Sequence, residues 1–163
     1  MPLFFSAQNQ EDIILWRALN DVENGFYIDD GAANPMEFSV TRIFYEHGRP
    51  GLNLEPNPTS FATLSRARPH NINLPLGVSR EAGTFIFYNV DVAGRARSTF
   101  DASVAAPHRA KSYTVTQQHA DALPLAETCR RHRPKSPIRF LKIDVEGSKH
   151  EVLTPRRYAV KQK

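Results

Sequence analysis

The chain has little cysteine, no glycine-rich phosphate loop and no long apolar run, and each shortage excludes a class of protein. Its one cysteine, Cys129, has no internal disulfide partner, which fits a reducing, cytoplasmic setting. No stretch approaches the roughly 18 apolar residues of a membrane span. The pure apolar runs are short, as in Ile13-Ile14-Leu15-Trp16. The opening Met1-Pro2-Leu3-Phe4-Phe5 has neither the basic flank nor the apolar core of a signal peptide. Six histidines show no H-E-x-x-H spacing, so no zinc site is expected, and a P-loop lysine motif is missing.

What is present suits one globular domain: 163 residues, 40% of them hydrophobic. The formal charge of +4 is unevenly spread. Residues 1–120 carry 10 Lys/Arg against 12 Asp/Glu, whereas residues 121–163 carry 11 against 5. The excess sits in Arg130-Arg131-His132-Arg133 and in the tail from Arg156. It reads as a solvated helix end and a terminus rather than a nucleic-acid groove, which would interleave aromatics with its basic residues.

Helix-like and strand-like segments alternate, which predicts an α/β sandwich with a largely parallel sheet. Asn9 caps a first helix that pairs Ile14 with Ala18 and Leu15 with Leu19. Phe26 to Asp29 is a strand. A turn through Gly31 leads to Asn34, Pro35 and Glu37, read as N-cap, first turn and N3 acid of a helix that Gly48 ends. Its face is Met36, Val40, Ile43, Phe44 and His47. Gly51 to Glu55 is a second strand, and Asn57-Pro58 starts a helix carrying Phe61 and Leu64. Further strands are expected at Ile72–Leu76, Thr84–Val90, near Tyr113–Thr116 and at Ile138–Val145. A helical turn near 102–109, a helix from Pro124 through Cys129 and a last helix around Lys149–Leu153 complete the pattern.

Three places carry chemistry. The strand-end Asp29, the turn at Gly31 and the helix start at Asn34 would face the crevice beyond the strand ends of a doubly wound sheet. Glu55 closes the next strand, where a carboxylate accepts hydrogen bonds from both ribose hydroxyls of a nucleoside. A dinucleotide needs G-x-G-x-x-G for close approach to its pyrophosphate, and Asp30-Gly31-Ala32-Ala33-Asn34-Pro35 has one glycine. S-adenosylmethionine has no phosphate, so the single glycine favours it over NAD. Finally, strand alternation puts Asp144 and Glu146 on one side of the last strand's carboxyl end. They would deprotonate a hydroxyl or share a divalent cation with it. Equally, one would hydrogen-bond the cofactor and the other cap a helix.

Together, Ser6-Ala7-Gln8-Asn9 with Glu11-Asp12, Gly25 to Asp29, Asn53-Leu54-Glu55-Pro56-Asn57 and Phe140 to Gly147 resemble the FkbM family of methyltransferases. The match runs in order from about Ser6 to Leu153. The resemblance implies a class I, Rossmann-like, three-layer α/β sandwich that uses S-adenosylmethionine to methylate oxygen. It points to a hydroxyl of a small molecule or glycan, on a sugar or a secondary metabolite. By position, Asp29, Gly31 and Ala33 would line the methionine end and Glu55 would hold the ribose. Val78 and Ser79 would lie near the adenine, Asp144 would face the reacting centre, and Gln8 and Glu11 would close the site. The family usually has an apolar residue at Asp30 and asparagine at Ala33. After Leu153 the pattern stops, which predicts a domain over 1–153 that lacks its last strands, followed by a divergent basic tail over 154–163. Ile138–Val145 would then be an exposed apolar edge inviting self-association. Two other readings stay open: an inactive truncated fragment with weak cofactor binding, and, third, an NAD-dependent oxidoreductase.

Overall fold

The computed structural model describes residues 3–92, 95–96, 98–132 and 136–145. The first half runs α1 (Glu11–Leu19), β1 (Phe26–Asp30), α2 (Arg42–Glu46), β2 (Gly51–Leu54), α3 (Pro58–Ala67) and β3 (Ile72–Leu74). There follow β4 (Gly77–Val78), β5 (Gly83–Val92), β6 (Arg95–Ala96), α4 (Ala102–Ala110), β7 (Thr114–Leu123), α5 (Leu125–Arg131) and β8 (Ile138–Ile143). The expected helix around Lys149–Leu153 and the tail lie outside the described residues.

The first sheet has the order β3-β2-β1-β8, and every pairing is parallel. A strand flanked on both sides and covered on both faces has no solvent side, and all five residues of β1 are buried. Phe26 and Ile28 point to one face, where Leu52, Leu54 and Val78 join them and Leu125 and Cys129 of α5 pack. Tyr27 points to the other, against Ile43 and Phe44 of α2 and Leu15, Trp16 and Leu19 of α1. Helices on one face, α5 and β4 on the other, and a mostly parallel sheet between them make the three layers of a Rossmann-like fold.

Several local expectations change. Gln10, at φ 65, holds the cap position of α1 instead of Asn9 and makes no side-chain cap bond. The Asp12 carboxylate instead accepts from the amides of Ser6 and Ala7. Ile14 is 66% exposed, so only the Leu15/Leu19 pair faces the core. Asn34 does accept from the amides of Met36 and Glu37. No helix follows directly, because Phe38 adopts φ 56 and the Pro35 carbonyl is taken by Arg68. Helical bonding therefore starts only at α2, which Gly48 ends at φ 75. The Asn57-Pro58 start of α3 is as expected, with Asn57 accepting from Thr59 and Ser60.

The larger change is a second sheet, β4-β7-β5-β6, in which β5 and β7 run antiparallel over most of their length. The segment expected as a short strand near Tyr113–Thr116 is ten residues long. β4 pairs parallel with the end of β7, through Gly77↔Ala122 and Val78↔Leu123. That pairing draws the second sheet over the carboxyl ends of the first, and a cleft forms between them. No helix among the described residues is long and apolar enough to cross a membrane.

Candidate functional site

The cleft opens at the carboxyl ends of β1, β2 and β8 and has a cavity volume of about 120 Å³. The first sheet and its turns supply Asp30, Gly31, Ala33, Glu55, Asp144 and Val145; Phe87, Ser98, Thr99 and Phe100 come from the second-sheet region. Gly31 is obligatory here: its φ is +76, and a Cβ would collide with the Asp144 carbonyl. The turn is tied down twice. The amides of Gly31 and Ala32 both donate to the Leu54 carbonyl at 3.1 Å, and Lys142 Nζ donates to the Gly31 carbonyl at 2.7 Å.

Glu55 accepts from the Ala33 amide through one oxygen (2.7 Å) and from the Asn57 amide through the other (2.8 Å). A single carboxylate thus joins the glycine turn to the start of α3. Burial raises its pKa, and the two amides only partly offset this. Each carboxylate oxygen has a second lone pair, so Glu55 retains acceptor capacity toward the cleft, which it lines.

Strand alternation separates Asp29 from Asp30. Asp29 turns away from the cleft, where Oδ2 accepts from Thr41 Oγ1 (2.5 Å) and Oδ1 lies 3.0 Å from Lys142 Nζ. Arg68, also buried, donates to Thr41 Oγ1, Ser39 Oγ and the Pro35 carbonyl. Burial opposes the Lys142 charge, but Asp29, Asp144 and Asp30 outweigh it and hold the ammonium above the ordinary lysine value. Asp30 turns into the cleft floor, and neither of its carboxylate oxygens has a hydrogen-bond partner. Burial above all pushes its pKa to about 7; Lys142 pulls it back, while Asp29, Glu55 and Asp144 add to the rise. Ser98 Oγ, in the same lining, is likewise without a partner.

The other expected site residues disperse. Val78 lines the cleft, but Ser79 lies in a neighbouring recess, its hydroxyl bonded to the Glu81 carbonyl. Asp144 borders the cleft with a largely exposed side chain, Oδ2 3.8 Å from Lys142 Nζ. Glu146 lies outside the described residues. Gln8 is exposed, and Glu11 accepts from the Asn9 amide and side chain. Backbone hydrogen bonding keeps the Glu11 pKa low, and Lys142 contributes. Cys129 is packed against the core, and burial raises its thiol pKa, the opposite of an activated nucleophile. No group of three His, Cys, Asp or Glu among the described residues is placed to hold a metal ion.

Sequence reasoning missed Asp30, Phe87, Ser98, Thr99 and Phe100 as cleft residues. The alternation that buries Phe26 and Ile28 on one face, continued two more positions, was the available signal for Asp30. The other four depend on the second sheet, which β5 alone does not announce.

A glycine turn at the end of the first strand, an acidic residue at the end of the second and a crevice across both define the class: a Rossmann-like methyltransferase domain. A family model described as methyltransferase FkbM domain matches residues 29–163, and the chain belongs to that family. No curated protein and no solved structure matches it.

Proposed function

We propose that the cleft binds S-adenosylmethionine and that the chain methylates a hydroxyl of a small acceptor, such as a sugar, a glycan or a secondary metabolite. One observation carries the reading. The Gly31 turn, fixed by Glu55 through the Ala33 amide, opens onto a cleft whose floor and wall hold buried polar atoms without partners, on Asp30 and Ser98. Buried polar atoms are normally satisfied, so the unpartnered atoms of Asp30 and Ser98 in one cleft lining fit a polar ligand.

When bound, S-adenosylmethionine supplies an electrophilic methyl group. The residues around it act mainly by alignment and by excluding water. Glu55 would accept from the ribose hydroxyls with its remaining lone pairs, and Gly31 and Ala33 would let the backbone approach the cofactor closely. Asp144, exposed at the cleft border, takes the proton that the acceptor hydroxyl loses. Val78 and Phe87 offer apolar surface to the adenine.

Calorimetric titration with S-adenosylhomocysteine and, separately, NADH tests this. Binding of the first and not the second is expected, and Glu55→Ala is expected to abolish it. Binding of NADH alone would make the chain an oxidoreductase. Silence from both would leave a fold without the cofactor function.

A further inference from the structure

We propose that Asp30 makes this cleft select for a positively charged ligand, so that it holds the sulfonium cofactor more tightly than the neutral thioether left after transfer. The inference rests on the cofactor assignment above, which uses Asp30 only as an unpartnered polar group, and gives its charge a role in ligand selection.

The geometry carries it. The cleft lining contains Asp30, Glu55 and Asp144 and, among the described residues, no lysine, arginine or histidine. Lys142, the cation that acts on Asp30 among the described residues, is committed elsewhere: its ammonium lies 3.0 Å from Asp29 and 2.7 Å from the Gly31 carbonyl. Glu55 has both oxygens on backbone amides, and Asp144 is mostly in solvent. Asp30 alone combines burial, at 1% exposure, with two unpartnered oxygens in the lining. A buried charge is screened far less than an exposed one, so Asp30 projects the strongest unspent field into the cleft. With no three-ligand group among the described residues, that field suits an organic monocation.

Methyl transfer changes the charge this field acts on. The acceptor oxygen forms a bond to the methyl carbon, and the carbon–sulfur pair returns to sulfur. The hydroxyl proton goes to a carboxylate at the cleft, and the sulfonium becomes a neutral thioether. The attraction from Asp30 then disappears, which favours exchange of spent cofactor for fresh.

Ionisation of Asp30 modulates the effect. The charged groups around it are Asp29 on its own strand, Glu55 after β2, and Lys142 and Asp144 on and after β8; those lining from β4, β5 and residues 98–100 are uncharged. With its pKa raised to about 7, Asp30 is mostly protonated at pH 6 and mostly charged at pH 8.

The test is calorimetric titration of the full chain with S-adenosylmethionine and with S-adenosylhomocysteine at pH 6 and pH 8. Ionisations of the shared methionine and adenosine groups cancel in the affinity ratio. That ratio is expected to rise with pH in the native chain by up to about tenfold, the change in ionised fraction of a group with pKa 7. In Asp30→Asn it is expected to lose this pH dependence, with homocysteine-analogue affinity nearly unchanged. Binding of both ligands with a ratio that is flat in pH and equal in Asp30→Asn would overturn the proposal while leaving the cofactor assignment intact. Binding of neither ligand would overturn both. Should Asp30→Asn fail to fold, the pH dependence of the native ratio decides alone.

Discussion

The ammonium of Lys142 and the carboxylate of Asp29 stand 3.0 Å apart across the seam between β8 and β1, at paired register positions. Asp29 is 1% exposed and the Lys142 side chain 13%, so neither charge is solvated well enough to stand alone. Lys142→Met is expected to cost about 3 to 5 kcal/mol, because it leaves a buried carboxylate without a counter-ion. Adding Asp29→Asn to it should recover part of that loss. A chemical-denaturation double-mutant cycle measures the coupling, and additive losses would show that the two charges act independently.

The left-handed turn after β1 gives two substitutions of opposite sign. Gly31→Ala forces a Cβ into the Asp144 carbonyl at a φ of +76, and a loss above about 2 kcal/mol is expected, with weakened ligand binding. Ala33 already sits at φ 46, a conformation that costs a side-chain-bearing residue roughly 1 kcal/mol. Ala33→Gly or Ala33→Asn should therefore raise the thermal midpoint. Unchanged or lower midpoints in both would remove strain as a property of this position.

Glu55→Gln looks conservative and is expected not to be. A glutamine offers one acceptor oxygen and one NH₂, so either the Ala33 or the Asn57 amide would face a donor. A loss of about 1 to 3 kcal/mol is expected, together with at least tenfold weaker cofactor binding. Calorimetry on a variant shown to be folded by its near-ultraviolet circular dichroism separates the two effects.

Asp30 also makes stability depend on pH. Its folded-state pKa is raised from 3.8 to about 7, so the native state binds its proton more tightly than the unfolded chain does. The stabilisation is complete below about pH 4 and is lost as pH rises to about 7. Asp30→Asn is neutral throughout, so it should raise the thermal midpoint at pH 8 and do so much less at pH 5. Equal shifts at the two pH values would mean that the carboxyl is not held neutral by burial.

Much of the first sheet was legible because its strands obey local rules. Phe26-Tyr27-Ile28 is β-branched or aromatic throughout, Ile138, Phe140, Leu141 and Ile143 make the late strand mostly apolar, and Asn57-Pro58 is a helix start that nothing nearby contests. The Asn34 turn misled for a definite reason. Its cap bonds form, but Arg68, distant in sequence, claims the Pro35 carbonyl and Ser39 hydroxyl. β7 was hidden by its own composition, since Gln117, Gln118 and His119 carry no apolar alternation and are held by pairing with β5. At the site, Glu55 was placed at the right turn, but its amide partners were not visible. Asp29 and Asp30 could be told apart only by carrying strand alternation through to the last residue of β1.

The sheet order has a consequence for how the chain is made. β8 completes the central strand's hydrogen bonding, yet Gly31 and Lys142 are 111 residues apart. At ribosomal speeds, β1 emerges on the order of ten seconds before its neighbour exists. Throughout that interval an apolar strand edge is open and Asp29 lacks its ammonium, a state prone to pairing with other nascent chains. The yield of folded protein should then follow translation rate and chaperone supply more closely than the stability of the finished fold.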